Sequence, residues 1–333
     1  MKLSHRKKRK IKKALRVTGG LFAVVAFFTT ALLLIHRWEL KQTVELPPQE
    51  TEGDLYYGGA WYDLRQDVET LLFFGVDKYE GQLREGVFTN DQQADFLLLL
   101  VRDKSQNVCR ALPLNRDTMT KITQLDLSGL PMGGQVEQLA LAHTYGSGGE
   151  DSGRNTARAV SDLLYGVPVD HYVGMSMDAV AVLTDAVGGV PVMVEQDFSQ
   201  VTDALPMGQE TVLTGQLALQ FVRARGGVGE QTNVERMSRQ QQFMESFYPL
   251  WQEKCRADDG FLADVLLDVA DYITTDCSLE TLSVWQEQMA DCELTLLEPP
   301  AGEAVVGERF MEFYAEEKPL RETVIGLFYE KCA

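Results

Sequence analysis

Leu71-Leu72-Phe73-Phe74-Gly75-Val76-Asp77 is an apolar run stopped by an acid, the pattern of a buried strand that carries a side chain to its end. Two further runs follow, Phe96 to Val101 and Val108 to Leu114, joined by the turn-like Asp103-Lys104-Ser105-Gln106-Asn107. They read as a strand pair with a short connection, and the second ends in the polar Asn115-Arg116-Asp117-Thr118. Beyond it the pattern alternates. A helix is expected over Gly153 to Tyr165, a strand over Asp170 to Met175, a helix over Met177 to Ala186 and, past Gly188-Gly189, a strand over Val190 to Val194. Strands alternating with helices indicate an α/β sandwich. A helical stretch from Gln216 to Val222 then leads through Arg223-Ala224-Arg225 and a Gly-rich loop into a long helix, Asn233 to Cys255. After Asp258 come helical patterns over Leu262 to Ile273, Phe310 to Glu316 and Arg321 to Tyr329, with a short strand over Glu293 to Leu297. Nothing there marks a separate domain.

The 333 residues carry 31 Lys plus Arg against 49 Asp plus Glu, a formal charge of -18. The balance is uneven: nine basic residues and no acid stand in the first 36 positions, leaving 22 basic against 49 acidic residues in the remainder. Of four histidines, His5 and His36 fall outside the expected folded part, so only His143 and His171 remain for imidazole chemistry and a His-rich metal site is excluded. Cys109 lies in an apolar strand pattern and reads as a small core residue, while Cys255, Cys277, Cys292 and Cys332 are free to form up to two bridges in an oxidising compartment.

Val17 to His36 contains no Asp, Glu, Lys or Arg, and 20 residues of helix reach about 30 Å, the thickness of a hydrocarbon core. The run is longer than a signal-peptide core of about 7–15 residues, so it reads as a membrane anchor. The basic residues precede it, which sets the N-terminus in the cytoplasm and the acidic remainder outside. The expected division is a basic cytoplasmic tip at 1–16, a transmembrane helix at 17–36, a stalk at 37–67 and one extracytoplasmic domain at 68–333. Set against a spanning helix, the basic cluster serves orientation and anionic headgroups rather than nucleic acid.

No nucleophile elbow, zinc-protease helix, phosphate-binding P-loop or paired CxxC is present. What remains is arginines and acids at element ends. Arg223 and Arg225 alternate and so share a direction in extended backbone. Arg236, Arg239 and Gln240 lie at i, i+3 and i+4 on one helix face. Guanidinium groups bind phosphate oxygens in bidentate fashion, so these cations, with Arg116, suggest an anion site; a solvated helix face with pairs such as Glu235 and Arg239 is the competing reading. Asp77 and Asp95 stand at the ends of adjacent apolar strands, where two carboxylates completed by phosphate oxygens and water suit Mg²⁺.

Taken in order, these features resemble the LytR-CpsA-Psr family: a basic tip and anchor, the Leu71–Asp77 run, the strand at 94–101, ALPLNRDT at 111–118, LAHTYGSGG at 141–149, the segment at 169–192, MGQETVLTGQLALQFVRAR at 207–225 and ERMSRQQQF at 235–243. The resemblance runs from about Leu71 to Phe243. It implies an αβα sandwich with a mixed central sheet and an apolar pocket for a polyprenyl chain. It also implies a phosphotransferase that moves an anionic glycopolymer, such as a wall teichoic acid or capsular polysaccharide, from an undecaprenyl-diphosphate carrier to peptidoglycan in a Gram-positive-type envelope. By match of motif, Arg116, Arg223, Arg225 and Arg236 hold the diphosphate, with Lys78, Arg239 and Gln240 beside it. Asp77 and Asp95 bind Mg²⁺, and Asp117 orients Arg116.

Three positions depart from the family pattern. Lys78 stands where Arg often follows the first acid, Asn115 replaces a proline, and Asn233 replaces an acid three residues before Arg236. Asparagine cannot serve as a base, which leaves Asp117 or His143 as candidates for that role. A pyrophosphatase side reaction, with water in place of the glycan hydroxyl, is open to the same site. The alternatives are a module that binds polyprenyl phosphate or wall polymer without transferring it, and the transcriptional attenuator the family was once labelled. Some 16 cytoplasmic residues are too few to fold a DNA-reading domain.

Overall fold

The computed structural model describes residues 54–76, 92–126, 129–146, 148–224, 226–229, 232–290, 292–308 and 310–332. Residues 55–333 form one compact unit. Its elements, in chain order, begin with β1 (Leu55–Tyr57), β2 (Ala60–Leu64), β3 (Val68–Val76), β4 (Ala94–Asp103), β5 (Val108–Pro113), β6 (Met119–Leu125), β7 (Pro131–Gln138), α1 (Leu141–Thr144), α2 (Gly149–Leu163), β8 (His171–Ser176) and α3 (Ala179–Ala186). They continue with β9 (Val190–Met193), β10 (Glu210–Leu213), α4 (Gly215–Arg223), α5 (Asn233–Ala257), α6 (Phe261–Asp268), β11 (Ile273–Thr275), α7 (Leu279–Ala290), β12 (Glu293–Leu296), β13 (Gly302–Val306), β14 (Met311–Ala315), α8 (Glu317–Phe328) and β15 (Tyr329–Lys331). The expected cytoplasmic tip and membrane span lie outside the described residues, as do Asp77, Lys78 and Arg225. Among the described residues no helix is long and apolar enough to cross a membrane.

Six strands form the central sheet in the order β11-β8-β3-β4-β5-β12. It is mixed: β3 runs parallel to β8 and antiparallel to β4, and β12 runs parallel to β5. Successive side chains of a strand point to opposite faces, and here the two faces have different fates. Leu72, Phe74 and Val76 of β3, with Leu97, Leu99 and Val101 of β4, pack into a close core with Ala159 and Val160 of α2 and Leu320 and Val324 of α8. Their neighbours Leu71, Phe73, Phe96, Leu98 and Leu100 face the other way, toward Trp285 of α7 and Met244 of α5. Helices thus cover both faces, giving the αβα arrangement.

Several expectations are corrected. The end of the stalk folds: β2 pairs with β1 on one side and with β15 at the far end of the chain on the other, the latter a pairing across more than 260 residues that no local period reveals. Phe310 to Glu316 is not helical; β14 pairs antiparallel with β13 and turns Phe313 inward. The helix begun at Phe261 stops at Asp268, and Ile273 to Thr275 becomes the sheet's edge strand. Neither the hairpin of β6 and β7 nor helix α7 has a clear local signal, and β9 pairs with β10 outside the central sheet. Cys109 is bonded to Cys292 rather than being a lone core thiol; β12 lies parallel to β5 with Leu294 opposite Cys109, which brings Cys292 within a Cα separation of 5.9 Å. Cys255 and Cys277 are free thiols.

Close packing of the sheet depends on Gly174, where an added Cβ would lie 2.4 Å from the Phe74 ring. Overpacking of this kind costs about 1–3 kcal/mol. Gly174→Ala is expected to lower the unfolding free energy by that amount, read as a lower urea midpoint at unchanged m-value, and an unchanged midpoint would show that the ring moves freely.

Candidate active site

The polar cluster forms where β4 opens. Gly75 pairs with Phe96 while Val76 pairs with Ala94, so Asp95 is the extra residue of a β-bulge. Bulges re-aim side chains at the ends of sheets. The Asp95 carboxylate is buried and meets two cations: Arg116 Nη1 contacts Oδ1 directly, and Arg236 Nη1 lies 3.8 Å from the same oxygen. Arg236 Nη2 also donates to the Asp95 carbonyl at 3.3 Å.

Each arginine is held by its own element. Arg116 sits in the turn after β5, where the Asn115 side chain accepts the Asp117 N–H at 2.9 Å and the Asn115 carbonyl accepts the Thr118 hydroxyl at 2.7 Å, an Asx-type turn that fixes the loop. Asp117 Oδ1 lies 3.3 Å from Arg116 Nε and accepts from Gln138 Nε2 at 3.0 Å, and Gln93 accepts from Arg116 Nη2. Arg236 is in the first turn of α5, whose N-cap Thr232 accepts the Glu235 N–H at 3.2 Å, satisfying one of the open donors of that end. Between the two arginines stands Asn233. Its Oδ1 accepts from Arg236 Nη2 at 2.7 Å and its Nδ2 donates to Asn115 Oδ1 at 2.8 Å. The two family departures at 115 and 233 are therefore hydrogen-bonded partners.

Not every expected residue joins this group. Arg239 turns away: Nε donates to the Phe221 carbonyl at 3.0 Å, Nη2 to the Ala224 carbonyl and Nη1 to Gln196, with the guanidinium 5.6 Å from the Phe198 ring centroid. It ties α5 to α4, and burial pushes its pKa down to about 10. Three residues advance a helix by less than a full turn, enough to aim it at a different neighbour from Arg236. Arg223 closes α4 with its side chain exposed. Gln240 donates to the Val222 carbonyl at 3.2 Å. His143 is a core residue, its Nδ1 2.9 Å from the Gln92 carbonyl and its ring against Phe74, and so is withdrawn as a base. Sequence reasoning gave no role to Gln93 or Gln138, which no motif marks.

Beside the cluster lies an apolar cavity of about 690 Å³. Phe96, Leu98, Gln240, Met244 and Leu296 line both this cavity and the crevice at Asp95 and Arg116. Helix α5 passes from one to the other, offering Asn233 and Arg236 to the charged end and Phe243, Met244 and Phe247 to the apolar end. The arrangement suits a ligand with an anionic head and a hydrocarbon tail. Asp95 is a hard oxygen donor at the charged end, and Mg²⁺ is commonly held by one or two carboxylates plus substrate phosphates and water; the residues present fit that ion.

Removing the Asp95 carboxylate leaves the buried Arg236 and the partly buried Arg116 without their shared counter-charge, a loss of about 3 kcal/mol or more. Asp95→Ala should show it in urea unfolding, and a change under about 1 kcal/mol would mean that water already screens the pair. His143 gives a pH dependence. Burial lowers its pKa to about 4 against the opposing hydrogen bond to Gln92, so the unfolded chain, titrating near 6.5, takes up the proton first. That contribution is complete above about pH 6.5 and falls by about 2 kcal/mol by pH 5. His143→Gln should flatten this part of the stability profile.

The family model described as the LytR_cpsA_psr family matches residues 43–298. A curated relative, polyisoprenyl-teichoic acid–peptidoglycan teichoic acid transferase TagU of Halalkalibacterium halodurans, is 28% identical over 224 residues, covering 67% of this chain and 65% of the relative. Matches to the first three curated relatives span from 29% to 65% of their lengths. Among solved structures, protein gbs0355 of Streptococcus agalactiae superposes with a TM-score of 0.64 at 17% identity, covering 78% of this chain and 87% of that one. TagV of B. subtilis gives a TM-score of 0.57 at 20% identity, with 79% and 98% covered. These two likenesses establish the fold, and the family match over more than half of the sequence settles its membership: the chain belongs to the LytR-CpsA-Psr family.

Proposed function

We propose that this protein is a membrane-anchored phosphotransferase that moves an anionic glycopolymer from a polyprenyl-diphosphate carrier to peptidoglycan. The observation that carries this reading is the junction of the Arg116–Asp95–Arg236 cluster with an apolar cavity of about 690 Å³ along one helix. A polyprenyl diphosphate has the same polarity, charged at one end and hydrocarbon along the rest. The names of curated relatives, teichoic acid transferases acting with peptidoglycan, point the same way. The bond between Cys109 and Cys292 fits an oxidising compartment and so an outer location, with residues 17–36 as the anchor.

In the proposed reaction a glycan hydroxyl oxygen attacks the phosphorus next to the polymer. The new P–O bond makes a phosphodiester, the bridging P–O–P bond breaks, and polyprenyl monophosphate leaves with the bridging oxygen. Such transfers depend on position and charge neutralisation more than on covalent help. Arg116 and Arg236 supply guanidinium donors to the diphosphate oxygens, with Arg223 at the end of α4 as a further cation and Arg225 two residues on in sequence. Asp117 and Gln138 keep Arg116 aimed. Asp95, with Asp77, would hold Mg²⁺, whose contribution when bound is neutralisation of diphosphate charge. Asn233 cannot remove the hydroxyl proton, but it can hold Arg236 in place. The proton passes to a phosphate oxygen or to solvent. Water in place of the hydroxyl gives the pyrophosphatase side reaction.

The test is release of polyprenyl phosphate by the full chain from a short-chain lipid-diphosphate glycan with Mg²⁺ and peptidoglycan fragments. Arg116→Ala is expected to lower kcat/KM by about 10²–10³, and a chelator to stop release until Mg²⁺ is restored. Asn233 favours a second reading, a binding module. Tight lipid binding with no release from the native chain would establish that reading and end the first.

A further inference from the structure

At the end of β8 away from the arginine cluster, three side chains of metal-ligating type converge, and neither transfer nor lipid binding uses them. Their meeting follows from strand register. β11 runs antiparallel to β8 with Thr275 opposite Val173 and ends there, so the chain leaves the strand with Asp276 and Cys277 beside His171 at the start of β8. Asp276 completes the group. Its Oδ1 lies 3.7 Å from His171 Nδ1 and 3.7 Å from Cys277 Sγ, and the ligand atoms of the three residues all lie within 4.8 Å of one another. Tetrahedral zinc, with bonds of about 2.0–2.3 Å, separates its ligands by roughly 3.3–3.7 Å. Small side-chain rotations therefore close the site.

Two observations set this group apart from a chance cluster. His171 Nδ1 is buried without a hydrogen-bond partner, and a polar atom in that state wants a partner such as an ion. The ligands are also held from behind: Asp276 Oδ1 accepts the Tyr172 N–H at 2.9 Å, the Cys277 N–H donates to the Thr275 hydroxyl oxygen at 3.0 Å, and that hydroxyl donates to the Tyr172 carbonyl at 2.5 Å. Outer contacts of this kind orient metal ligands.

We propose that His171, Asp276 and Cys277 bind a zinc-class divalent cation, with a fourth position for water. One nitrogen, one oxygen and one sulfur make a borderline-soft set, which selects zinc over the oxygen-seeking Mg²⁺ and Ca²⁺. The site is distinct from Asp95, which offers oxygen alone. It spans the turn between β11 and α7, whose Ile273, Leu282, Trp285 and Met289 line the apolar cavity, so the ion ties that wall to β8. The inference stands whichever ligand the cavity takes.

The full chain, stripped by a chelator, is titrated with Zn²⁺ against a chromophoric competitor and separately with Co²⁺. One equivalent of Zn²⁺ should bind, resist excess Mg²⁺ and raise the unfolding temperature, and Co²⁺ should show thiolate-to-metal charge-transfer absorption. Cys277→Ser should abolish that band, and it and His171→Ala should each weaken Zn²⁺ by more than the about 10–100-fold that outer-shell changes cost. Cys255→Ser should leave binding unchanged. Asp276→Asn keeps an oxygen for the Tyr172 N–H, so its loss of Zn²⁺ affinity at unchanged metal-free unfolding temperature separates ligation from folding. No one-equivalent binding, no thiolate band in the native chain, displacement by Mg²⁺, or affinity unchanged in Cys277→Ser would overturn the proposal.

Discussion

Two guanidinium groups cannot be buried side by side without a counter-charge between them, and Asp95 supplies it. This constraint binds three parts of the chain that are remote in sequence: the start of β4, the turn after β5 and the first turn of α5. Asp95 reaches its place through a bulge, Arg116 through an Asx turn and Arg236 through a capped helix end. The same set that balances the charge without ligand presents donors to an anion, because a guanidinium carries five N–H groups and a carboxylate occupies only some of them. A site of this kind is preorganised by the requirement for neutrality.

Alternation along β3 and β4 provides the other half. One set of side chains fills a close core against α2 and α8, and the set between them lines a cavity roofed by α5 and α7. A sheet with one face filled and the other partly open keeps its shape while an apolar guest occupies the open side. Stability and ligand capacity thus rest on alternate residues of the same strands. The Cys109–Cys292 bond fastens β5 to the segment entering β12 at the sheet's edge, and the register of β11 against β8 fixes the other edge.

Asn115 and Asn233 illustrate how a pair can be understood only together. Read singly, one is a lost proline and the other a lost acid. In the fold, one asparagine amide donates to the other's oxygen while its own oxygen receives Arg236. A carboxylate at 233 would face the Asn115 oxygen instead of donating to it, and turning the Asn115 amide to repair that contact would remove the acceptor for the Asp117 N–H. The two substitutions are mutually consistent, which neither position reveals alone.

Much was legible in the sequence where physics is local. The apolar runs at 71–76, 96–101 and 108–114 had to be strands, and the alternation of helix and strand from Gly153 onward required a sheet covered by helices. The motif-bearing arginines Arg116 and Arg236 could be named from their settings, and the polar turn at 115–118 from its composition. The sequence did not distinguish Arg236 from Arg239, because both lie on one stretch of helix and only the packing of α4 against α5 captures the second. It did not pair Cys109 with Cys292, reveal the bulge at Asp95, or bring His171 to Cys277. Those depend on which strands become neighbours and in what register. Periodicity is written residue by residue along the chain, whereas register, charge neutralisation and side-chain partnership arise between segments distant in sequence, and only the assembled tertiary structure decides them.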